Sequence, residues 1–379
     1  MGSTRLRTVA PLAMVAMTSA TAWADTDISV GDVPLTVSFS GFIRADYGNG
    51  DRYSASDGED RLGFTKSLLL ASIGTEDVKA ILDFGATALT DTDVNPNDNG
   101  SVGVKDAFII VGVNNTTGFS FSAGAQPLLF GLKPNGYPGD SSLQPNVDYG
   151  VDGAFAVSQQ AGPSIIGNYK FTPDESLRFG AFDLAENNAV SGFSTATNGS
   201  KLKDNLFILW RGNNIGNTGL YATVGAERIY VGVEGGPLGN TFAPVVDDSK
   251  TIYSAGIGYK QGIVDVSVEY IHLDSAIVFT QDDERYIRAC ASVQPAPDWT
   301  AYVDYSNAHE LGASTYRIGG SWQFRRHLAV TLEYSKDEFS SSNGVYAGGF
   351  SPVAGTAPLF GIPEASSIES VDARLTFTF

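Results

Sequence analysis

The segment Val371–Phe379, VDARLTFTF, alternates apolar and polar residues with a period of two. Its odd-numbered positions carry Val, Ala, Leu, Phe and Phe, and its even-numbered positions carry Asp, Arg, Thr and Thr. Successive side chains of a β-strand point to opposite faces, so this segment predicts a strand with one apolar and one polar face. A soluble antiparallel sheet has the same alternation, but its strands usually continue into polar residues rather than stop at an aromatic residue.

The N-terminal residues have the pattern of a secretory signal peptide. Arg5 and Arg7 precede the apolar run VAPLAMVAMTSATA, and Ala22-Trp23-Ala24 supplies an A-x-A cleavage pattern before Asp25. A membrane anchor needs about 18 or more apolar residues, whereas this run is shorter and is broken by Thr and Ser. We therefore predict export, with a signal peptide over residues 1–24 and one mature unit over residues 25–379.

Composition narrows the class of protein further. No stretch after Ala24 is apolar enough to cross a bilayer as a helix, which argues against an inner-membrane protein. Cys290 is the only cysteine, so an internal disulfide framework is excluded. The formal charge of -18 argues against nucleic acid as a partner, because phosphate recognition relies on Lys and Arg.

Strand-like alternation recurs along the mature sequence, while helical periodicity is almost missing. The segment from Leu35 to Tyr47 alternates as the C-terminal one does, and the pattern returns around Leu82, Val266 and Val303. Each run has about the 9 to 11 residues that a tilted strand needs to cross a bilayer. The sequence therefore predicts an all-β protein whose strands span a membrane.

The connections between these strands alternate between short and long. The short ones are polar, for example GTED, NNTTG and KQGI. The long ones are rich in Gly, Asp and Asn and cover residues 49–60, 90–102, 131–162, 188–203, 232–249, 274–282, 308–312 and 339–366. Short turns at one rim and long loops at the other predict a transmembrane antiparallel β-barrel of about sixteen strands, to within about two. The strands near 105–113 and 205–211 are the least regular, because both faces carry apolar residues.

A barrel in lipid explains a strand that ends on Phe379. An open strand edge leaves backbone groups without partners, at several kcal/mol each, so the last strand must pair with the first. A terminal strand of alternating aromatics that ends on Phe also resembles the closing strand of Gram-negative outer-membrane barrels. With the signal peptide and a long loop after the fifth strand, the resemblance extends to the sixteen-stranded porins and covers nearly the whole mature sequence as a pattern.

The porin resemblance implies a fold, a site and partners. It implies that the third loop, residues 131–162, folds into the barrel and narrows the pore. Acidic residues of that loop would then face basic residues of the wall across the constriction, and the candidates are Asp140, Asp148, Asp152, Arg44, Lys66, Arg374 and Arg317. The implied partners are outer-membrane lipid and lipopolysaccharide, the barrel assembly machinery through Phe379, small hydrophilic solutes, and two further copies in a homotrimer. The small-residue runs 84–88 and 123–126 would suit close contact between copies.

Charge and aromatic residues give the orientation of the strands. A Lys or Arg that faces lipid at the midplane costs about 2 to 4 kcal/mol, so charged residues inside alternating strands are expected to face the lumen. These are Arg44, Lys66, Arg178, Arg288, Arg317, Arg374, Asp83, Glu227, Asp265, Glu269, Asp304, Glu333 and Asp372. Aromatic residues near strand ends fit girdles at the two membrane interfaces, namely Tyr47, Tyr253, Tyr259, Trp299, Tyr305, Trp322 and Tyr334.

Other motifs carry little chemistry. The segment 91–98 offers acidic and amide residues at calcium-loop spacing, but Pro96 stands where the turn glycine belongs and no Glu closes the loop, so an acidic turn is favoured. The three histidines, His272, His309 and His327, have no second histidine or carboxylate at ligand spacing. We therefore expect no metal, no cofactor and no catalytic site.

The sequence thus predicts an outer-membrane porin for passive diffusion of small hydrophilic solutes and ions, with a modest cation preference. Three alternatives remain: a substrate-specific channel for a sugar or an oxyanion, an outer-membrane barrel enzyme, and a structural or adhesive barrel with a plugged lumen. A soluble β-sandwich is a further alternative, because the lumen of a barrel and the solvent face of a sheet share the same periodicity.

Overall fold

The structure, a computed structural model, describes residues 26–30, 33–50, 61–87, 102–127, 131–132, 161–182, 189–190, 193–194, 205–232, 247–273, 284–309, 313–339 and 367–379. The predicted signal peptide, the acidic segment 91–98 and the loop residues 133–160 lie outside this part of the chain. Among the described residues, no helix has the length and apolarity to cross a membrane.

The described secondary structure consists of strands. They are β1 Thr26–Val30, β2 Val33–Gly50, β3 Arg61–Gly74, β4 Val78–Thr87, β5 Val102–Val111, β6 Gly118–Pro127, β7 Ala161–Thr172, β8 Glu175–Phe182, β9 Ala189–Val190, β10 Phe193–Ser194, β11 Leu206–Ile215, β12 Leu220–Gly232, β13 Asp247–Gln261, β14 Val264–Leu273, β15 Glu284–Ala296, β16 Trp299–Ala308, β17 Ala313–Arg325, β18 Leu328–Phe339 and β19 Ser367–Thr378. The two strands that were least regular in sequence, β5 and β11, form as predicted.

Sixteen of these strands, β2 to β8 and β11 to β19, form a closed antiparallel barrel. Each pairs with its neighbours in chain order, β8 pairs with β11, and β19 pairs with β2 to close the ring. The two-residue strands β9 and β10 pair only with each other, between β8 and β11. Because the barrel is closed, every barrel strand has a hydrogen-bonded neighbour on both sides. Lipid cannot replace such a neighbour, because it offers no hydrogen bonds to backbone groups. The predicted strand number is confirmed.

The closing seam is paired to the last residue of the chain. The main-chain N–H of Phe379 donates to the carbonyl of Gly41, and the N–H of Gly41 donates to the carbonyl of Phe379, both at 3.0 Å. On the other side, the N–H of Thr378 donates to the carbonyl of His327 at 2.9 Å. The expectation that the terminal strand pairs with the first barrel strand is therefore confirmed.

Strand β1 was not predicted. It pairs antiparallel with the start of β2, from Thr26 opposite Val37 to Val30 opposite Val33. Strand β19 pairs with residues Phe42 to Gly50 of β2, and β1 pairs with residues 33–37 of β2, so β1 follows β19 along β2. Strands β1 and β19 thus share one neighbour, and the first barrel strand begins at Val33, close to Leu35, where the sequence placed its start.

Aromatic side chains lie at two levels on the outer surface of three described strands. On β13, β16 and β17 they recur six residues apart, as Tyr253 and Tyr259, Trp299 and Tyr305, and Tyr316 and Trp322. Six residues of strand span about 20 Å. Near the short turns, the ring centroids of Trp299 and Trp322 lie 6.0 Å apart, and near the long loops those of Tyr305 and Tyr316 lie 5.0 Å apart. This is the arrangement of two interfacial girdles around an apolar band.

Candidate pore wall

The barrel has its polarity reversed relative to a soluble protein. Its outer face exposes large apolar side chains, including Leu332 at 57%, Ile318 at 58% and Val224 at 58% of their surface. The inward positions of the same strands carry buried charged residues, for example Glu333, Arg317 and Glu227. An apolar surface that surrounds the whole barrel is far larger than a water-soluble monomer exposes, so this exterior is built for lipid. The soluble β-sandwich is thereby excluded, and the chain is a transmembrane barrel of the outer-membrane type.

Inward charges of both signs line five consecutive strands of the wall. We call the set Arg288, Asp304, Arg317, Glu333, Asp372 and Arg374 the charge ladder; it lies on the consecutive strands β15 to β19. Asp304 Oδ2 lies 3.2 Å from Arg288 Nη2 and 3.6 Å from Arg317 Nη1. One buried carboxylate therefore lies between two buried guanidinium groups and offsets part of their charge. A buried charge needs such a partner, because removing a single partner leaves a desolvated charge behind.

Two inward tyrosines reach across a glycine to an acidic residue. Tyr302 on β16 lies against Gly319 on β17, and its hydroxyl donates to Glu333 Oε2 on β18 at 2.5 Å. Tyr221 on β12 lies against Gly258 on β13 in the same way, and its hydroxyl donates to Asp265 Oδ1 on β14 at 2.5 Å. In both places a side chain on the intervening strand would block the tyrosine. The two motifs hold inward carboxylates in fixed positions.

Elsewhere the described part of the wall combines polar, apolar and charged side chains. Strands β6 and β7 present hydroxyl and amide groups inward, and Asn168 Nδ2 donates to Ser120 Oγ at 3.4 Å. Apolar residues on β4 and β5, Ile81 and Ile110, form a small buried cluster with Val113. Arg178 on β8 lies over the ring of Phe207, with Cζ 6.0 Å from the ring centroid. The described inner wall thus differs in chemistry from one group of strands to the next.

The segment after β6 enters the barrel interior. Its described residues, Gly131 and Leu132, lie against the inner wall at β11, β13 and β14. Arg211 Nη2 donates to the carbonyl of Gly131 at 2.9 Å, and the N–H of Leu132 donates to Glu269 Oε1 at 2.8 Å. These two residues lie inside the barrel, while the inward course of residues 133–160 lies outside the described part and stays a prediction.

The predicted constriction residues divide into three groups. Arg317 and Arg374 are inward and buried in the charge ladder. Arg44 on β2 and Lys66 on β3 are register partners. The backbone of Arg44 lies at the closing seam, opposite Thr376, which is two residues beyond Arg374 on β19. The side chains of Arg44 and Lys66 lie outside the described part. The three loop acids also lie outside it: Asp140, Asp148 and Asp152.

The other inward predictions are placed by the structure as expected. Arg178, Arg288, Asp83, Glu227, Glu269, Asp304, Glu333 and Asp372 are all buried inward residues. Sequence reasoning missed Arg211, although it shares the inward face of β11 with Phe207 and Leu209 and has the parity of a wall residue. It also missed the two tyrosine motifs, which join strands that are not neighbours. Within the described ranges, no group of three or more His, Cys, Asp and Glu side chains is placed to hold a metal ion.

No protein-family model and no curated protein matches this chain. Solved structures do share its fold. OmpF of Salmonella typhi, in a complex with daunomycin, aligns with a TM-score of 0.61 and 11% identity over 93% of this chain and 100% of that one. An anion-selective porin from Comamonas acidovorans aligns at 0.60 and 12% over 91% and 100%. The outer-membrane channel DcaP of Acinetobacter baumannii aligns at 0.58 and 11% over 91% and 97%.

These similarities concern the fold. The three structures are covered almost completely, so the likeness extends around the barrel rather than to one group of strands. The chain therefore has the fold of the outer-membrane porins and channels, as its sequence pattern predicts.

Proposed function

We propose that the protein is an outer-membrane channel through which small hydrophilic solutes and ions diffuse passively. The observation that carries this proposal is the reversed polarity of a closed barrel, apolar outside and charged inside. A lining of charged, hydroxyl and amide groups allows polar solutes to exchange water for wall contacts, which lipid does not. The proposal includes no catalytic step and no cofactor.

The proposed constriction lies between segment 131–162 and a group of basic residues on the wall. The inward position of Gly131 and Leu132 supports it, because these residues begin the segment inside the barrel rather than at its rim. Asp140, Asp148 and Asp152 would supply its acidic side, and Arg44, Lys66, Arg317 and Arg374 its basic side. Charges across a narrow opening act on each other even at physiological salt, where the Debye length is about 8 Å.

The remaining parts of the proposal concern export and assembly. Residues 1–24 would direct export and be removed, and Phe379 would be recognised by the barrel assembly machinery. The apolar outer face would contact outer-membrane lipid and lipopolysaccharide. Three copies would associate through the strands near the chain ends.

A substrate-specific channel is the second candidate. The observation that favours it is the arginine content of the interior: Arg178 stacks on Phe207, and further arginines lie on β11, β15, β17 and β19. Arginine binds carboxylates and phosphates in a bidentate manner, so a chain of such groups could guide an organic anion or an oxyanion.

Single-channel recording in a planar lipid bilayer tests the proposal. We expect stepwise ohmic conductance, closing in groups of three steps for a trimer, with no saturable block when a sugar, phosphate or an aromatic carboxylate is added. Saturable block by one solute would replace general diffusion with the substrate-specific channel. Correctly folded protein that conducts nothing would contradict both and leave a structural barrel.

A further inference from the structure

The chain after β6 leaves its own strand and crosses to a distant part of the wall. Four strands, β7, β8, β11 and β12, lie between β6 and β13 in the barrel. Leu132 nevertheless contacts Gly256 on β13 and Glu269 on β14. Such a position requires fixed contacts at the far wall, because a flexible segment loses conformational entropy when it is held there.

Two charged residues hold one peptide group. The carbonyl of Gly131 and the N–H of Leu132 belong to the same peptide unit, and they point in opposite directions in a trans peptide. Arg211 Nη2 donates to that carbonyl at 2.9 Å, and Glu269 Oε1 accepts from that N–H at 2.8 Å. Hydrogen bonds to ionised groups are about twice as strong as neutral ones. The peptide dipole therefore lies between a cation and an anion that match its two ends.

Neighbouring residues fix the carboxylate and leave room for the peptide. Ser254 Oγ donates to the same Oε1 atom of Glu269 at 2.8 Å. Gly131 has a φ of +87°, and a Cβ atom there would lie 2.8 Å from Glu269 Oε1. A Cβ atom on Gly256 would lie 2.8 Å from the Cβ of Leu132. Glycine is thus required on both sides of the contact, as expected where backbone approaches closely.

We propose that Arg211 and Glu269 are positioning residues that hold peptide 131–132 against the inner wall and so set the free cross-section of the pore. The link to conduction rests on the proposed channel function, whereas the contact itself does not. The site accepts a segment of this chain, so its role is steric, and the charges of Arg211 and Glu269 offset each other next to the peptide.

The first test is hydrogen exchange at the Leu132 amide in the full-length protein in detergent micelles, which needs no conduction. Strong protection is expected in the wild type and in Glu269→Gln, since the amide oxygen of Gln can still accept from Leu132. Protection should be lost in Glu269→Ala, which removes the acceptor of the Leu132 N–H, and in Arg211→Ala, which removes the donor to the Gly131 carbonyl. Unchanged protection in both alanine variants would overturn the proposal.

The second test is single-channel conductance in about 1 M KCl, where a Debye length of about 3 Å screens the wall charges and leaves steric effects. Glu269→Ala and Arg211→Ala should each raise the conductance and admit larger neutral sugars into liposomes, and the double variant should add little. The matched control is Asp265→Ala, which removes an inward carboxylate from the same strand, β14, that bonds to Tyr221 instead. Equal conductance in all three single variants would overturn the steric role. A wild type without conductance would refute the channel function and leave the exchange test valid.

Discussion

At the scale of single residues, the interior depends on glycines that let longer side chains pass. Gly319 is the clearest case, because Tyr302 crosses it to reach Glu333. The sequence predicted that Glu333 faces inward from its parity alone. It could not predict the tyrosine contact, because Tyr302 and Glu333 lie on strands that are not adjacent and meet across Gly319 on the strand between them.

We expect Gly319→Ala to destabilise the barrel by about 1 to 3 kcal/mol, the usual cost of overpacking. The new methyl group would displace the Tyr302 hydroxyl and break its bond to Glu333. The measurement is the temperature at which the folded, fast-migrating form is lost in a heat-modifiability gel. The control is Gly320→Ala on the outer face, where a Cβ atom would lie 3.1 Å from the carbonyl of Thr300. Equal losses in the two variants would contradict the tyrosine crossing.

At the scale of strands, most of the barrel could be predicted from alternation and turn length. Alternation with a period of two predicted the strands and their faces. Every charged residue that it placed in the lumen, and whose side chain the structure describes, does face the lumen. Strand β1 was missed because it is only five residues long and only Gly31 and Asp32 separate it from its partner β2, which begins at Val33. A Gly-Asp pair between two alternating runs is a hairpin signal that could have revealed it.

The closing strand gives a prediction about assembly. Deleting Phe379, or changing Phe379→Asp, should lower the amount of folded protein in the outer membrane far more than Thr378→Asp. Phe379 forms both main-chain bonds to Gly41, and its ring lies 6.1 Å from that of Phe377 on the outer face, whereas Thr378 is on the inward-facing parity. The measurement is the heat-modifiable fraction in isolated outer membranes. Similar levels of the Phe379 and Thr378 variants would show that the seam does not depend on the terminal ring.

At the scale of the whole molecule, the distribution of charge could be predicted only in part. The strongly acidic composition and the inward arginines were both evident in the sequence, but how they pair was not. Pairing depends on strand register. Asp304 on β16 lies opposite Arg317 on β17. On its other side Asp304 lies opposite Cys290 of β15, which is two residues from Arg288 on the same face. The structure shows that the wall arginines of β15 and β17 share one carboxylate, so their net field is smaller than their number suggests.

We expect the channel to prefer cations modestly. The formal charge is -18 for the whole sequence, and acidic runs such as SDGED, VVDDS and QDDE fall in the long connections, where a negative mouth concentrates cations. The measurement is the zero-current potential across a KCl gradient at about 0.1 M, where a Debye length of about 10 Å keeps wall charges effective. A cation-selective pore makes the dilute side positive, because potassium crosses ahead of chloride.

The charge ladder determines how that preference should respond to substitution. Asp304→Asn leaves Arg288 and Arg317 without their shared carboxylate, so the zero-current potential should shift towards the anion-selective sign. Asp298→Asn is the matched control, because it removes the same charge at the short turn between β15 and β16 and should shift the potential less. A wild-type potential of the anion-selective sign would show that the arginine wall outweighs the acidic mouth. Arg44, Lys66 and Arg374 would then be the residues to neutralise, and the potential should return towards the cation-selective sign as each is replaced by Ala.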